Sequence, residues 1–178
     1  MTTTTETTNA FRYLDGYATI LSERVAGSGA IVEFVMSRGS EAPEHAHDED
    51  ETVVLLDGEV TFRVAGEIVR PDSRGMVVLP RGVAHSYRVE SDDARWLSIT
   101  PSGRLARFVR AVGEPLSAPA AGPLDLARVM ALTAAAADSG IQLLGPAPAA
   151  APAQRVSALV ERLHAALSDS QRLAPLAA

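Results

Sequence analysis

The sequence predicts an all-β domain followed by C-terminal helices. Between residues 17 and 101, short segments rich in β-branched and aromatic residues alternate with Gly, Pro, Asp and Ser, without a helical period. The Asp57-Gly58 pair between two of these segments is a strong hairpin signal. Roughly eight short strands at such close spacing are typical of an antiparallel sandwich or barrel.

The predicted strands follow one another at short intervals. In order they are YATILSERV, AIVEFVMSR, ETVVLL, EVTFRVAG, EIVRP, MVVLP, HSYRVE and ARWLSIT. We assign residues 17–112 to the barrel, with SGRLARFVRAVGEP as its last short element. Residues 1–16 form an N-terminal arm, which we expect to be disordered or extended because its first ten residues are Thr-rich and polar.

Residues 113–178 are predicted to hold a linker and two helices. The first helix is LDLARVMALTAAAADSG, with Asp125 as N-cap and Gly140 at the C′ position. The prolines and glycine of IQLLGPAPAAAPAQ predict a connector without regular structure. The second helix, RVSALVERLHAALSDS, has one apolar stripe, made of Val156, Leu159, Val160, Leu163 and Leu167.

The composition excludes several classes of function. A net charge of −6 argues against nucleic acid or an anionic membrane surface as a partner. The absence of Cys and Lys removes thiolate catalysis, disulfides, iron–sulfur clusters and Schiff-base chemistry. Without a signal peptide or an apolar run of membrane-spanning length, we expect a cytoplasmic protein.

Two histidines stand one residue apart in the stretch GSEAPEHAHDEDETVVLLDGEV. In a β-strand, His45 and His47 place both imidazoles on one face. Glu51 opens the next strand, so its carboxylate can meet the same point if the acidic loop of residues 48–50 brings that strand back. His85 is the remaining histidine of the strand region, and a partner strand could deliver it.

Three imidazoles and one carboxylate form a metal-ligand set. A divalent first-row metal satisfies inward-facing imidazoles that are otherwise costly to bury. This set suits nickel, iron, manganese, cobalt or copper, with zinc as a further candidate, better than calcium or magnesium, which prefer oxygen ligands. The sequence does not rank these metals.

The spacing of these residues resembles the cupin family. Gly39-x5-His45-x-His47-x3-Glu51-x6-Gly58 matches the first cupin motif at every position, and Pro80-x-Gly82-x2-His85 matches the centre of the second. Two positions depart from the second motif, because Arg74 stands at its glycine position and Val89 at its asparagine position. The resemblance implies a jelly-roll barrel of six to eight strands with the metal inside, and a homodimer.

The C-terminal part resembles the single-domain quercetinase-like cupins. The resemblance rests on the segments FVRAVGEPLSAP and SGIQLLGPAP, which lie before and after a short helix. This resemblance implies a metal-dependent dioxygenase that acts with O2 on an aromatic or enolic small molecule such as a flavonol. It also implies that Glu51 is a catalytic base as well as a ligand. By the two-residue period of a strand, Val53 and Leu55 share the face of Glu51, and Tyr87 and Val89 share that of His85, so these four are candidates for the substrate pocket.

Three alternatives stay open at this stage. The protein could be another metal-cupin enzyme, such as an isomerase, cyclase, hydrolase or decarboxylase that tailors a small metabolite. It could also be a non-enzymatic module that binds a small molecule, or a cupin that binds no metal.

Overall fold

The computed structural model describes residues 9–23, 29–118 and 126–146. Its strands are β1 (Ala10–Tyr13), β2 (Gly16–Glu23), β3 (Ala30–Ser37), β4 (Glu44–His47), β5 (Glu51–Asp57), β6 (Val60–Val64), β7 (Glu67–Val69), β8 (Met76–Leu79), β9 (His85–Val89), β10 (Asp93–Thr100), β11 (Glu114–Pro115) and β12 (Ile141–Gly145). Its helices are α1 (Arg104–Val112) and α2 (Leu126–Asp138). None of these described helices is long and apolar enough to cross a membrane.

The strands form two antiparallel sheets that enclose the core. One sheet has seven strands in the order β11-β1-β2-β3-β10-β5-β8, and the other has five in the order β12-β4-β9-β6-β7. Inward-facing residues of both sheets, such as Val32, Phe34 and Phe62, are buried at every second position because strand side chains alternate between faces. This architecture confirms the predicted all-β jelly-roll barrel.

A glycine turn between β8 and β9 fixes the two histidine strands relative to one another. Gly82 has a φ of +72°, a conformation that glycine adopts without strain, and its N–H donates to the carbonyl oxygen of His47 at 2.8 Å. The adjacent N–H of Arg81 donates to a carboxylate oxygen of Asp50 at 2.9 Å. The turn that carries the second motif is therefore hydrogen-bonded to the strand and loop of the first.

The predicted hairpin at Asp57-Gly58 is wrong, although the turn itself is present. Gly58 has a φ of +83°, but β5 pairs with β10 and β8 while β6 pairs with β9 and β7. The chain therefore passes from one sheet to the other at this turn. The Asp57-Gly58 dipeptide indicates that the chain reverses direction. The strand with which β6 then pairs depends on the packing of the two sheets.

Two segments outside the predicted strands, β1 and α1, also form regular structure. Strand β1, which lies inside the predicted arm, pairs with β2 in the seven-stranded sheet, and its Phe11 and Tyr13 are buried. The segment around residues 104–112 is helix α1, whose buried Ala106 and Val109 are three residues apart on one face. Strand β1 was not predicted because it follows directly after a Thr-rich polar segment. Helix α1 was not predicted because it is too short to show a clear helical period.

The connector predicted without regular structure begins with strand β12, so that prediction is wrong for residues 141–145. Its prolines start only at Pro146, which leaves the N–H groups of the preceding residues free for strand pairing. Gly140, with a φ of +75°, ends α2 as predicted. The predicted N-cap Asp125 and the second predicted helix lie outside the described residues.

Arg74 occupies the glycine position of the second motif and has the backbone conformation of a glycine, with a φ of +67°. This left-handed conformation costs a residue with a Cβ roughly 1–2 kcal/mol. We predict that Arg74→Gly raises the free energy of unfolding by about 0.5–1 kcal/mol, the strain being offset in part by the greater entropy of unfolded glycine. Urea denaturation of the two proteins measures the difference.

Gly66→Ala is the matched control, because Gly66 has a φ of +81° and a Cβ built there meets no atom within 4 Å. It should lower the free energy of unfolding by about 1 kcal/mol. A loss at Gly66 without any gain at Arg74 would contradict the proposed strain at Arg74.

Candidate metal and substrate site

Three histidines converge inside the barrel from two neighbouring strands. His45 and His47 lie on β4, and His85 lies on β9 directly opposite His45 in the antiparallel register. One ring nitrogen of each lies within 4.8 Å of the others, so the three could hold a metal ion. His85 therefore reaches the other two histidines from the neighbouring strand β9.

Each ring is oriented by a hydrogen bond from its Nδ1–H to a backbone carbonyl oxygen. His45 donates to Pro43 at 2.8 Å, His47 donates to Glu49 at 2.6 Å, and His85 donates to Val83 at 2.9 Å. A carbonyl oxygen accepts only, so the proton of each ring must be on Nδ1. In His45 and His85, Nε2 is then available to a ligand, which is the arrangement of metal-binding histidines with a backbone partner, whereas Nε2 of His47 faces the Glu51 carboxylate and becomes available once it has given up its proton.

Glu51 meets the trio from the opposite sheet. Its Oε2 lies 3.1 Å from Nε2 of His47, and both side chains are largely buried. Burial raises the pKa of Glu51, but hydrogen bonds from His47 and from the buried Ser98 outweigh it, so the net pKa lies below its usual value. Burial likewise lowers the pKa of His47, and the bond to Glu51 outweighs it and raises the pKa overall. The pair therefore carries an ionised carboxylate.

The other two histidines are held neutral. Burial lowers the pKa of His45, and burial together with the neighbouring His45 lowers the pKa of His85 to about 4. A neutral imidazole with its proton on Nδ1 presents a lone pair on Nε2, which a metal ion requires.

A cavity of about 250 Å³ extends from the histidines between the two sheets. A continuous row of aromatic ring contacts, with centroids 5.2–6.4 Å apart, runs along it through Phe108, Tyr13, Phe34, Trp96, Tyr87 and Phe62. Burial raises the pKa of both Tyr13 and Tyr87 well above the usual range, with the Glu51 charge as a further cause. Both phenols are therefore protonated and can donate a hydrogen bond.

The structure separates the four predicted pocket residues into two pairs. Val53 and Tyr87 line the cavity. Leu55 and Val89 do not line it, and both are fully buried in the hydrophobic core. Each lies two residues beyond a lining residue, so the strand period gave the correct face while the depth in the barrel, about 7 Å further along the strand, decided the contact.

Several residues that line the cavity were not predicted from the sequence because they come from distant segments. Tyr13 lies in the predicted arm, Phe108 lies on α1, and Leu132 and Ile141 lie on α2 and β12. Phe34 and Trp96 lie on predicted strands, and each is an aromatic residue at an inward position of its strand. That alternation is the one signal in the sequence that could have found them.

The donor set fits a divalent first-row metal ion. Nε2 of His85 is buried and, among the described residues, has no hydrogen-bond partner. A buried ring nitrogen with a free lone pair is costly unless a ligand satisfies it. Imidazole nitrogens suit nickel, iron, cobalt, copper and zinc, and a nearby carboxylate adds the oxygen that manganese also accepts.

Comparison with known proteins agrees with this geometry. Residues 32–100 match the cupin domain family Cupin_2. A stretch of 110 residues is 32% identical to quercetin 2,3-dioxygenase of Bacillus subtilis (strain 168). The matched stretch covers 58% of this chain and 32% of that protein. The chain thus spans about a third of the length of the curated relative it matches. These matches support the assignment of residues 32–100 to a cupin domain.

Two solved structures are similar to part of the chain. KdgF from Halomonas sp. is 18% identical with a TM-score of 0.46, over 49% of this chain and 80% of that one. The polyketide cyclase RemF from Streptomyces resistomycificus is 19% identical with a TM-score of 0.45, over 54% of this chain and 69% of that one.

We predict that His85→Ala lowers the affinity for Ni²⁺ at least about 100-fold, because even the loss of a ligand's supporting group costs 10–100-fold. The measurement is isothermal titration calorimetry of Ni²⁺ into chelator-treated protein, with thermal unfolding as a check of the fold.

Asp48→Asn serves as the control, because Asp48 precedes Glu51 in the acidic loop and its exposed carboxylate pairs with Arg104. Its Ni²⁺ affinity should stay within about twofold of the wild type. Equal losses in the two variants would mean that the loop acids, and not the trio, dominate metal binding.

Proposed function

We propose that the protein is a metal-dependent dioxygenase of the quercetinase-like type, acting with O2 on an aromatic or enolic hydroxyl compound such as a flavonol. The observation that carries this proposal is the contact of an ionised, buried Glu51 with His47 of a histidine trio at one side of an aromatic-lined cavity. The match to the quercetin 2,3-dioxygenase of Bacillus subtilis supports the same reaction class.

In this proposal, His45, His47, His85 and Glu51 hold the metal, which is nickel, iron, manganese, cobalt, copper or zinc. When bound, such a metal supplies a Lewis acid that lowers the pKa of a hydroxyl group beside it. The Nδ1–H bonds of the three histidines fix the orientation of the rings, and one nitrogen of each ring lies within 4.8 Å of the others. That preorganisation matters because a ligand that must first reorient weakens the site.

Glu51 is the proposed base. It is a carboxylate at neutral pH, lies inside the cavity, and can accept the hydroxyl proton of a substrate placed beside the trio. Ser98, buried on β10 and lining the same cavity, hydrogen-bonds to the Glu51 carboxylate and limits its movement. Tyr87, protonated and close enough to feel the Glu51 charge, can donate to a developing substrate anion.

The cavity walls favour an uncharged aromatic substrate. No arginine is among the cavity-lining residues of the described part, and the chain contains no lysine. A carboxylate or phosphate substrate would therefore lack a cationic partner apart from the metal. The ring row from Phe108 to Phe62 instead offers edges and faces to a planar ring system, and excludes water from a reactive intermediate.

The size of the cavity favours a second candidate, another metal-cupin enzyme that acts on a smaller metabolite without O2. At about 250 Å³ the cavity lies just below the ~300–1,000 Å³ of typical ligand sites. An isomerase, cyclase, hydrolase or decarboxylase acting on a compact neutral molecule would also use the trio and Glu51.

We predict that the metal-loaded protein consumes O2 with a flavonol and that chelator treatment abolishes the uptake. Glu51→Gln, which keeps the size of the side chain and removes its basicity, should lower kcat about 10²–10⁴-fold. An oxygen electrode measures the rate, and elemental analysis of the same samples normalises it to bound metal.

Asp48→Asn is again the matched control and should retain the rate of the wild type, because its carboxylate points to Arg104. Full turnover by metal-loaded Glu51→Gln would remove the base role alone. Product formation from a small neutral substrate under anaerobic conditions, with no O2 uptake from any flavonol, would replace the dioxygenase by the second candidate.

A further inference from the structure

One wall of the cavity comes from a segment that follows the barrel. Helix α2 contributes Leu132 and Ala136, and strand β12 contributes Ile141 and Leu143. We call α2 and β12, residues 126–145, the cover. It lies beyond the residues that match the cupin domain family, which end at residue 100.

The strand of the cover is attached directly to the histidine strand. β12 pairs antiparallel with β4, with Ile141 opposite His47 and Leu143 opposite His45. The backbone of β12 is therefore held beside two of the candidate ligands, and its Ile141 and Leu143 line the same cavity.

The turn between α2 and β12 fixes the direction in which the helix leaves. Gly140 lies against the ion pair of Arg104 and Asp48, since a Cβ at this position would be 2.8 Å from Nη1 of Arg104 and 2.9 Å from Oδ1 of Asp48. Arg104 begins α1, and Asp48 follows His47. The turn is thus in contact with both the first helix and the histidine loop.

Along α2, the two lining residues stand at different distances from this turn. Leu132 and Ala136 are four residues apart on one face, so Leu132 lies about 6 Å further along the helix axis from Gly140. Ala136 is 2% exposed, and its small side chain leaves room in the cavity that a larger one would fill.

We propose that the cover is the substrate-selecting element, and that Leu132 and Ala136 determine how long a neutral planar ligand the cavity accepts. This inference rests on the proposed function. The histidines, Glu51 and Ser98 contact the hydroxyl and ketone end, which is the same in every ligand of the class. The far end of a longer ligand extends toward α2, so ligands of different length differ in their contacts with Leu132 and Ala136.

The test uses three probes that share a 3-hydroxy-4-ketone and differ only in length: 3-hydroxypyran-4-one, 3-hydroxychromone and 3-hydroxyflavone. Their binding to the metal-loaded full-length protein is followed by the fluorescence of Trp96, the single tryptophan of the chain, which lines the cavity. This readout requires no turnover. The variants are Ala136→Leu, which fills the cavity, Leu132→Ala, which enlarges it, and the control Met130→Ala, which truncates a side chain of α2 that is 65% exposed.

We expect Ala136→Leu to weaken 3-hydroxyflavone binding at least about tenfold, and Leu132→Ala to weaken it about tenfold through lost contact. Both variants should bind the one-ring probe within about twofold of the wild type, and Met130→Ala should bind all three probes like the wild type. If Ala136→Leu does not fold, Leu132→Ala decides the question alone.

Equal shifts for the one-ring and three-ring probes, or no shift in any variant, would overturn the proposed role of the cover. Failure of the proposed function has a different signature. In that case the size-dependent shifts in binding remain, while the oxygen electrode records no uptake with any of the three probes.

Discussion

The site depends on three hydrogen bonds in which a histidine Nδ1–H donates to a backbone carbonyl two residues away in the sequence. Because the carbonyls belong to the chain immediately beside each ring, folding of the strands and turns sets the ring orientation at the same time. The bond from the Gly82 N–H to the His47 carbonyl then joins the two histidine segments. Without these bonds, the three imidazole rings would be free to rotate and would not form a preorganised trio.

The strands of the barrel and the common face of His45 and His47 were predictable because they follow from local rules. The two-residue period of a strand placed His45 and His47 on one face, and the apolar segments between turn residues marked the strands that form the barrel. Long-range pairing was less accessible. The dipeptide Asp57-Gly58 signals a turn in either arrangement, and only the packing of the complete barrel shows that β5 and β6 belong to different sheets.

The cavity walls were predicted in part for a related reason. The two-residue period of a strand separates inward-facing from outward-facing side chains. Val53 and Leu55 share the inward face but lie at different depths in the barrel, and only Val53 lines the cavity. Tyr13, Phe108 and the lining residues of the cover come from segments far apart in the sequence. Their convergence results from tertiary packing, which no short pattern encodes.

The pairing of β12 with β4 also has a consequence for the order of events during synthesis. On the ribosome, β4 emerges long before its neighbour, since about 90 residues separate His47 from Ile141 and are translated in roughly 5–20 s. For that interval one backbone edge of the histidine strand lacks its β12 partner, and the trio lies open to small solutes. The nascent chain therefore exposes its candidate metal ligands before the last wall of the cavity exists.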